Sequence, residues 1–324
     1  MTVGAIPTLV LYIIALMAAA TWSTAFFLWP AVKTLRARSG LDCSSNFWFL
    51  LGIAPFLAGL AVGCASFSSA VLKGLSLIPD HCEFHPHHPH FCWIHMDTLL
   101  PEGVLFWLVL GGSTGVFLYS ALNAARAIVG MNHLLRTAEG TIDRDGFFIV
   151  PSRLPAAFVA GIIRPRPYLT STAAQLLNSR ERGIVAAHER EHVRRRDPLK
   201  LLLLRIAGSL FPGFKSIEEK WKGATEVECD SASLRTGARP EEVSLTIVKL
   251  ARAVGSEASA PALAYAVGTE SDLKQRIGSL LSGVQPREQT IAWIPLVLLA
   301  LTLTSIGLSR AHHALETVLG KLIG

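Results

Sequence analysis

The stretch AAHEREHVRRRDPLK, Ala186 to Lys200, sets His188 and His192 four residues apart and puts Glu189 directly after the first. On a helix, residues four apart share a face, so both imidazoles can present a nitrogen to one metal ion while Glu189 leans into the same site. Zinc suits this pattern, because a hydrolytic zinc uses two such histidines, a third protein ligand and an open position for water. Further along, ATEVECDSASLRTG supplies Glu226 and, four residues on, Asp230, with no helix breaker before Gly237. Glu226 can give a carboxylate oxygen as third ligand. Asp230, on the same face, can accept a hydrogen bond from the free ring nitrogen of a zinc-bound histidine and so fix its tautomer. Glu228 points elsewhere on a helix and is the weaker ligand candidate. Cys229, beside a carboxylate, reads as a small buried residue rather than a ligand.

These residues need elements to hold them. Gly140 to Ser171 is strand-like: GFFIVPS and AAFVAGII are short β-rich runs, and RPRPYLTS is extended but interrupted by Pro165 and Pro167. Prolines delete ladder donors, so the last run is expected as an edge strand or an extended loop. As an edge it would either pair with an extended substrate backbone or be a solvent-facing edge protected by its prolines. STAAQLLNSRERGIVAAHEREHVRRRD then turns to helical periodicity, and Pro198 is expected to end it. Arg194, Arg195 and Arg196 read as helix C-terminal charge and headgroup contacts, with Asp197 tying one of them down. LLLLRIAGSLFPGF contains Arg205 and is too short to span a bilayer, so it is either domain core or a helix lying on the membrane surface. His133 and Arg235 are candidates for stabilising an oxyanion, each with a structural role as the alternative.

Composition places the site beside a membrane. The chain has 324 residues, 51% hydrophobic and 17% charged, with a mean hydropathy of +0.42. That is more apolar surface than a soluble fold buries. Four uncharged runs reach the roughly 20 residues that cross the hydrocarbon core: Ile6–Pro30, Asn46–Leu72, Gly103–Leu122 and Ile291–Ser309. The first lacks the basic start of a signal peptide and is read as a retained span. Lys33, Arg36 and Arg38 follow that span, the loop from Leu75 to Thr98 holds no Lys or Arg, and Ala124 to Gln289 holds 24 of the chain's 30. Basic residues stay on the cytoplasmic side, so the N-terminus is expected outside and the large loop inside. The basic balance thus reports topology, and direct nucleic-acid binding is not expected.

VAGIIRPRPYLTS, RERGIVAAHEREHVRRRD, EVECDSASL and LKQRIGSLL, in this order and spacing, resemble the membrane-embedded zinc metallopeptidases of the BlaR/MecR antirepressor type. The resemblance covers about 155 to 281. It implies an α-helical membrane protein with an α+β, gluzincin-like zinc metalloprotease domain inserted between the third and fourth transmembrane helices. The expected organisation is three spans in 1–123 with an outer loop at 75–99, a cytoplasmic protease domain at 124–289, a fourth span at 290–309 and an outer tail at 310–324. Position by position, the resemblance implies His188, His192 and Glu226 as Zn2+ ligands, Glu189 as catalytic base and Asp230 behind a ligand. It further implies a bacterial inner (cell) membrane protein that cleaves itself, a transcriptional repressor or another inner-side protein. About fifteen residues follow the last expected span, so the outer penicillin-binding sensor of the best-known members is expected to be absent. Two other readings stand beside this one: a membrane quality-control protease of the HtpX type, which shares the zinc residues but not the RRRD and ECD context, and a non-proteolytic metal-sensing membrane receptor.

The second reading draws on PDHCEFHPHHPHFCWIHMD, Pro79 to Asp97, which holds six of the chain's eleven histidines. Outside the cytoplasm Cys82 and Cys92 could close a disulfide around His85, His87, His88 and His90. Clustered imidazoles suit zinc, copper or nickel and titrate near pH 6.5, so this loop is expected to serve as an outer metal or pH sensor, with a merely polar loop as the alternative.

The charge asymmetry predicts topology directly. A reporter active only outside the cytoplasm should work when fused near Pro86 or after Gly324 and fail near Gly255; the reverse pattern would move the zinc domain to the outer face.

Overall fold

The computed structural model describes residues 5–38, 44–75, 104–137, 142–208, 214–255 and 270–283. Three long helices come first: α1 (Ala5–Arg38), α2 (Ser45–Gly74) and α3 (Val104–Thr137). Windows in two of them, Ile13–Pro30 and Ser45–Cys64, are long and apolar enough to cross a bilayer. Only 22% and 28% of these windows is buried inside the protein, which fits lipid-facing helices better than core helices. Helix α3 begins at the expected third span and continues unbroken to Thr137. The fourth expected span and the histidine-rich loop, with His85, His87, His88, His90 and both its cysteines, lie outside the described residues.

Small residues set the contact between α1 and α2. A Cβ on Gly59 would lie 2.1 Å from Thr21 Oγ1 and 2.5 Å from the Met17 carbonyl, and one on Gly63 would meet the Met17 side chain at 2.4 Å. Apolar helices with no aqueous face gain little from hydrophobic burial against each other, so close backbone approach at small residues drives such packing.

The remaining elements are β1 (Phe148–Val150), β2 (Ala157–Ala160), β3 (Arg166–Thr170), α4 (Ser171–Leu176), α5 (Ser179–Arg195), α6 (Asp197–Gly208), α7 (Phe214–Ser233), α8 (Pro240–Gly255) and α9 (Glu270–Ser282). The three strands form one sheet in the order β1-β3-β2. The Pro-containing run is therefore the central strand, contrary to the expectation of an edge. Register explains how the prolines are accommodated. Thr170 N–H donates to the Ala156 carbonyl at 2.9 Å, so Pro167, opposite Val159, falls at a position whose nitrogen faces away from β2. On the other side, pairing with β1 starts only at Tyr168. The missing donor therefore costs no ladder bond.

The expected single helical run is two helices. Asn178 breaks it with a capping box, its side chain accepting from Glu181 N–H at 2.9 Å while the Glu181 carboxylate accepts from Asn178 N–H at 2.8 Å. The end of α5 is set by Arg196 in the left-handed region, φ 55°, and not by Pro198. That proline sits in the first turn of α6, where an N–H would have no helical partner.

Two cores hold the site between them. Phe147, Leu169, Ala173, Leu177, Val185 and Ala186 pack the sheet against α5. Trp48, Leu204, Trp221 and Ala224 pack the start of α2 against α6 and α7, so α6 belongs to the core and Arg205 turns to Glu218 at 2.9 Å. Replacing Leu204, fully buried in the second core, with Ala should cost about 2–5 kcal/mol. Thermal unfolding of the detergent-solubilised protein would then begin at clearly lower temperature than in the parent.

Candidate metal centre

Helix α5 presents His188 and His192 on one face, one turn apart, and α7 crosses it so that Glu226 faces both. His188 Nε2 and His192 Nε2 are 3.2 Å apart. The Glu226 carboxylate oxygens lie 3.5 Å from the first and 3.6 Å from the second. A tetrahedral zinc with bonds of about 2.0–2.1 Å requires donors about 3.3 Å apart. The observed spacings lie close to that value, the two Glu226 distances running to different oxygens of its carboxylate, and a third of Glu226 remains exposed (33%).

Each imidazole is held from behind by a carboxylate. His188 Nδ1 is 2.9 Å from Asp230 Oδ1, which places Asp230 behind that histidine in particular. His192 Nδ1 is 2.8 Å from Asp197 Oδ2, a partner the sequence analysis did not assign. Both contacts fix the ring so that Nε2 points at Glu226. An arginine in turn holds each aspartate. Arg276 of α9 bonds Asp230 through two 2.7 Å contacts and reaches Glu226 at 3.0 Å. Arg195 bonds Asp197 at 3.2 Å and also bonds Glu228. With 10% of its side chain exposed, Arg195 is an internal group and not a headgroup contact. Glu228 stays off the histidines, as its helical position implies.

Cys229 is the competing donor: His188, His192 and Cys229 offer ligand atoms all within 4.8 Å of one another. Its sulfur, however, lies 3.5 Å from Nδ1 of His192, the side already taken by Asp197, while both Nε2 atoms face Glu226. Burial, reinforced by Glu226 and Asp197, also pushes the Cys229 thiol up, which disfavours the thiolate a metal would need. The geometry therefore favours Glu226.

The electrostatics describe a site that wants positive charge. Burial opposes protonation of His188, yet its bonds to Asp230 and Glu226 outweigh this and carry its pKa up to about 10. Burial would raise Glu226, but Arg276 and the two histidines hold it well below the usual carboxylate range. Glu189 is buried, and that burial raises its pKa against the pull of His188 and His192. It shares with His188, Glu226, Arg276, Ala157 and Leu250 the lining of a cleft between β2, α5, α7, α8 and α9.

Of the oxyanion candidates, Arg235 pairs with Glu191 at 2.8 Å and is 68% exposed, so it does not reach this cleft. The side chain of His133 lies outside the described residues. Sequence reasoning missed Asp197 and Arg276 as site residues. The first carried a signal, an acid directly after the arginine run that ends the helix of the two histidines. The second stood in LKQRIGSLL without an assigned role.

A family model described as BlaR1 peptidase M56 matches residues 129–280, a range that includes both histidines, Glu226, Asp230 and Arg276. No curated protein and no solved structure matches the chain.

The raised His188 pKa sets a pH dependence. A metal and a proton compete for the same ring, so below about 10 metal affinity must rise with pH, by about tenfold per unit for each proton displaced. Chelator competition at pH 6.5 and 8.5 should give the tighter binding at 8.5; equal affinities would mean that His188 is not a ligand.

Proposed function

From the match of residues 129–280 to the BlaR1 peptidase M56 family model, we propose that the chain is an integral membrane zinc endopeptidase of that family with a gluzincin-like catalytic domain. In this reading His188, His192 and Glu226 hold the metal, Glu189 is the general base, and Asp230 and Asp197 orient the two imidazoles. The observation that carries it is the convergence of both Nε2 atoms and the Glu226 carboxylate within 3.2–3.6 Å, with Glu189 lining the same cleft.

When bound, zinc supplies Lewis acidity that brings the pKa of water to about 7 and polarises a peptide carbonyl. The chain's own residues do the rest. Glu189, with its pKa raised by burial, is suited to take a proton from water and return it to the leaving amine, a role typically worth about 10²–10⁴-fold. An extended substrate would lie along β2, the edge strand next to the cleft. The register leaves Ala157 and Val159 with backbone groups that face away from β3, and two extended backbones can pair there.

The charge pattern supports a cytoplasmic catalytic domain inserted between membrane helices, and hence substrates on the inner side: a repressor, the chain itself or another membrane-proximal protein. Regulated signalling is the favoured role, because RRRD and ECD accompany the zinc residues here.

Purified protein should hold about one zinc per chain and lose it when His188, His192 or Glu226 becomes Ala. Glu189→Gln should keep the metal and abolish cleavage, and a protein that accumulates uncleaved in a Glu189→Gln strain is the substrate. Retained turnover in that variant would sink the mechanism, and unchanged levels of every protein would favour a non-proteolytic receptor.

A further inference from the structure

We propose that Arg195 is a positioning residue that joins the first turn of membrane helix α2 to the imidazole of His192, so that a shift of α2 loosens one metal ligand. The proposal rests on the reading above, in which His192 binds zinc. A continuous run of polar contacts carries it. His192 Nδ1 meets Asp197 Oδ2 at 2.8 Å, and Arg195 Nε donates to both Asp197 oxygens at 3.2 and 3.4 Å. The other end of the same guanidinium donates to Glu228 and to the Ser45 hydroxyl. Glu228 closes the ring by accepting from Ser45 N–H at 2.8 Å and from Ser45 Oγ at 2.7 Å.

Ser45 is the first residue of α2, where backbone N–H groups have no partner inside the helix. Glu228 therefore caps a membrane helix from α7, at a sequence separation of 183, and the positive end of α2 favours that carboxylate. Ser45, Asp197 and Arg195 are all nearly or fully shielded from solvent, so water cannot readily replace a contact that breaks. Trp48, one turn into α2, packs with Leu204 and Trp221, which fixes the turn against the helices that carry Asp197 and Glu228. A displacement of this turn either carries Glu228 and Arg195 with it, drawing the guanidinium away from Asp197, or breaks their Ser45 contacts and leaves the guanidinium held by Glu228 and Asp197 alone; both relax the contact that aims Asp197 at His192. Arg276, which holds the other aspartate, bonds to Asp230 and Glu226 inside the peptidase segment. The coupling to α2 thus acts on one histidine of the pair.

The test is the rate of zinc release to a chelator from the zinc-loaded full chain in lipid nanodiscs. Ser45→Ala and Glu228→Gln should each speed release by about tenfold, the lower end of the effect of outer-shell partners. The control is Glu218→Gln, on the same helix as Glu228. It removes the bonds to Arg205 and Lys222, which do not lead to His192, and should release zinc at the parent rate. Equal rates in all three variants would overturn the proposal. So would faster release in Glu228→Gln with Ser45→Ala at the control rate, because α2 would then have no part in the chain. A parent that retains no zinc would overturn the functional reading itself, and the proposal with it.

Discussion

Everything at the centre of this protein depends on two imidazole rings held by buried aspartates. An imidazole on a helix can turn about two bonds, and a ring that turns presents the wrong nitrogen. Asp230 at 2.9 Å and Asp197 at 2.8 Å remove that freedom by engaging Nδ1 of each ring. The 3.2 Å approach of the two Nε2 atoms follows from those contacts as much as from the four-residue spacing. Neither aspartate could do this alone, since a buried carboxylate without a partner is costly. The arginines behind them are therefore as much a condition of the site as the histidines in front.

The same arrangement leaves a charge imbalance that has one natural remedy. Glu189, Asp197, Glu226, Glu228 and Asp230 are five acids, and among the described residues Arg195 and Arg276 are the cations that pair with Asp197, Glu228, Glu226 and Asp230. With neutral imidazoles the cluster is acidic even if Glu189 is protonated. The deficit favours a proton on His188, and a divalent cation would answer the same deficit more completely. Breaking one buried partner of such a cluster is typically far more damaging than the net worth of the pair. A network of this kind specifies the position of its members more than it adds to stability.

The parts of this design that were legible in the sequence are those within a helical turn or two of each other. His188, Glu189 and His192 could be placed together because one helix carries them, and Glu226 and Asp230 for the same reason. That the two helices face one another is a tertiary fact, and the family resemblance supplied it in advance. Asp197 was out of reach because it lies beyond the end of α5. Only the left-handed turn at Arg196 folds the chain back and brings it to His192. The central place of β3 was misjudged because proline content was weighed without register, and it is register that puts Pro167 where no donor is needed. Arg276 and Ser45 lie at sequence separations of 46 and 150 from the groups they serve, distances over which residue type and spacing carry no signal.

The start of α2 has a physical consequence for how the molecule is divided. A predominantly apolar helix begins at Ser45, preceded by Ser44, both buried, and its first N–H groups must be satisfied in a place water does not readily reach. Glu228 supplies that capping carboxylate from the peptidase segment, and Arg195 balances the charge thus buried. The first turn of the membrane helix takes its capping carboxylate from the peptidase helices, and Glu228 and Arg195 in turn both bond Ser45. The boundary between anchor and enzyme, evident in composition, therefore does not exist as a boundary in the packing: the apolar cluster of Trp48, Leu204 and Trp221 and the polar ring beside it cross that line together.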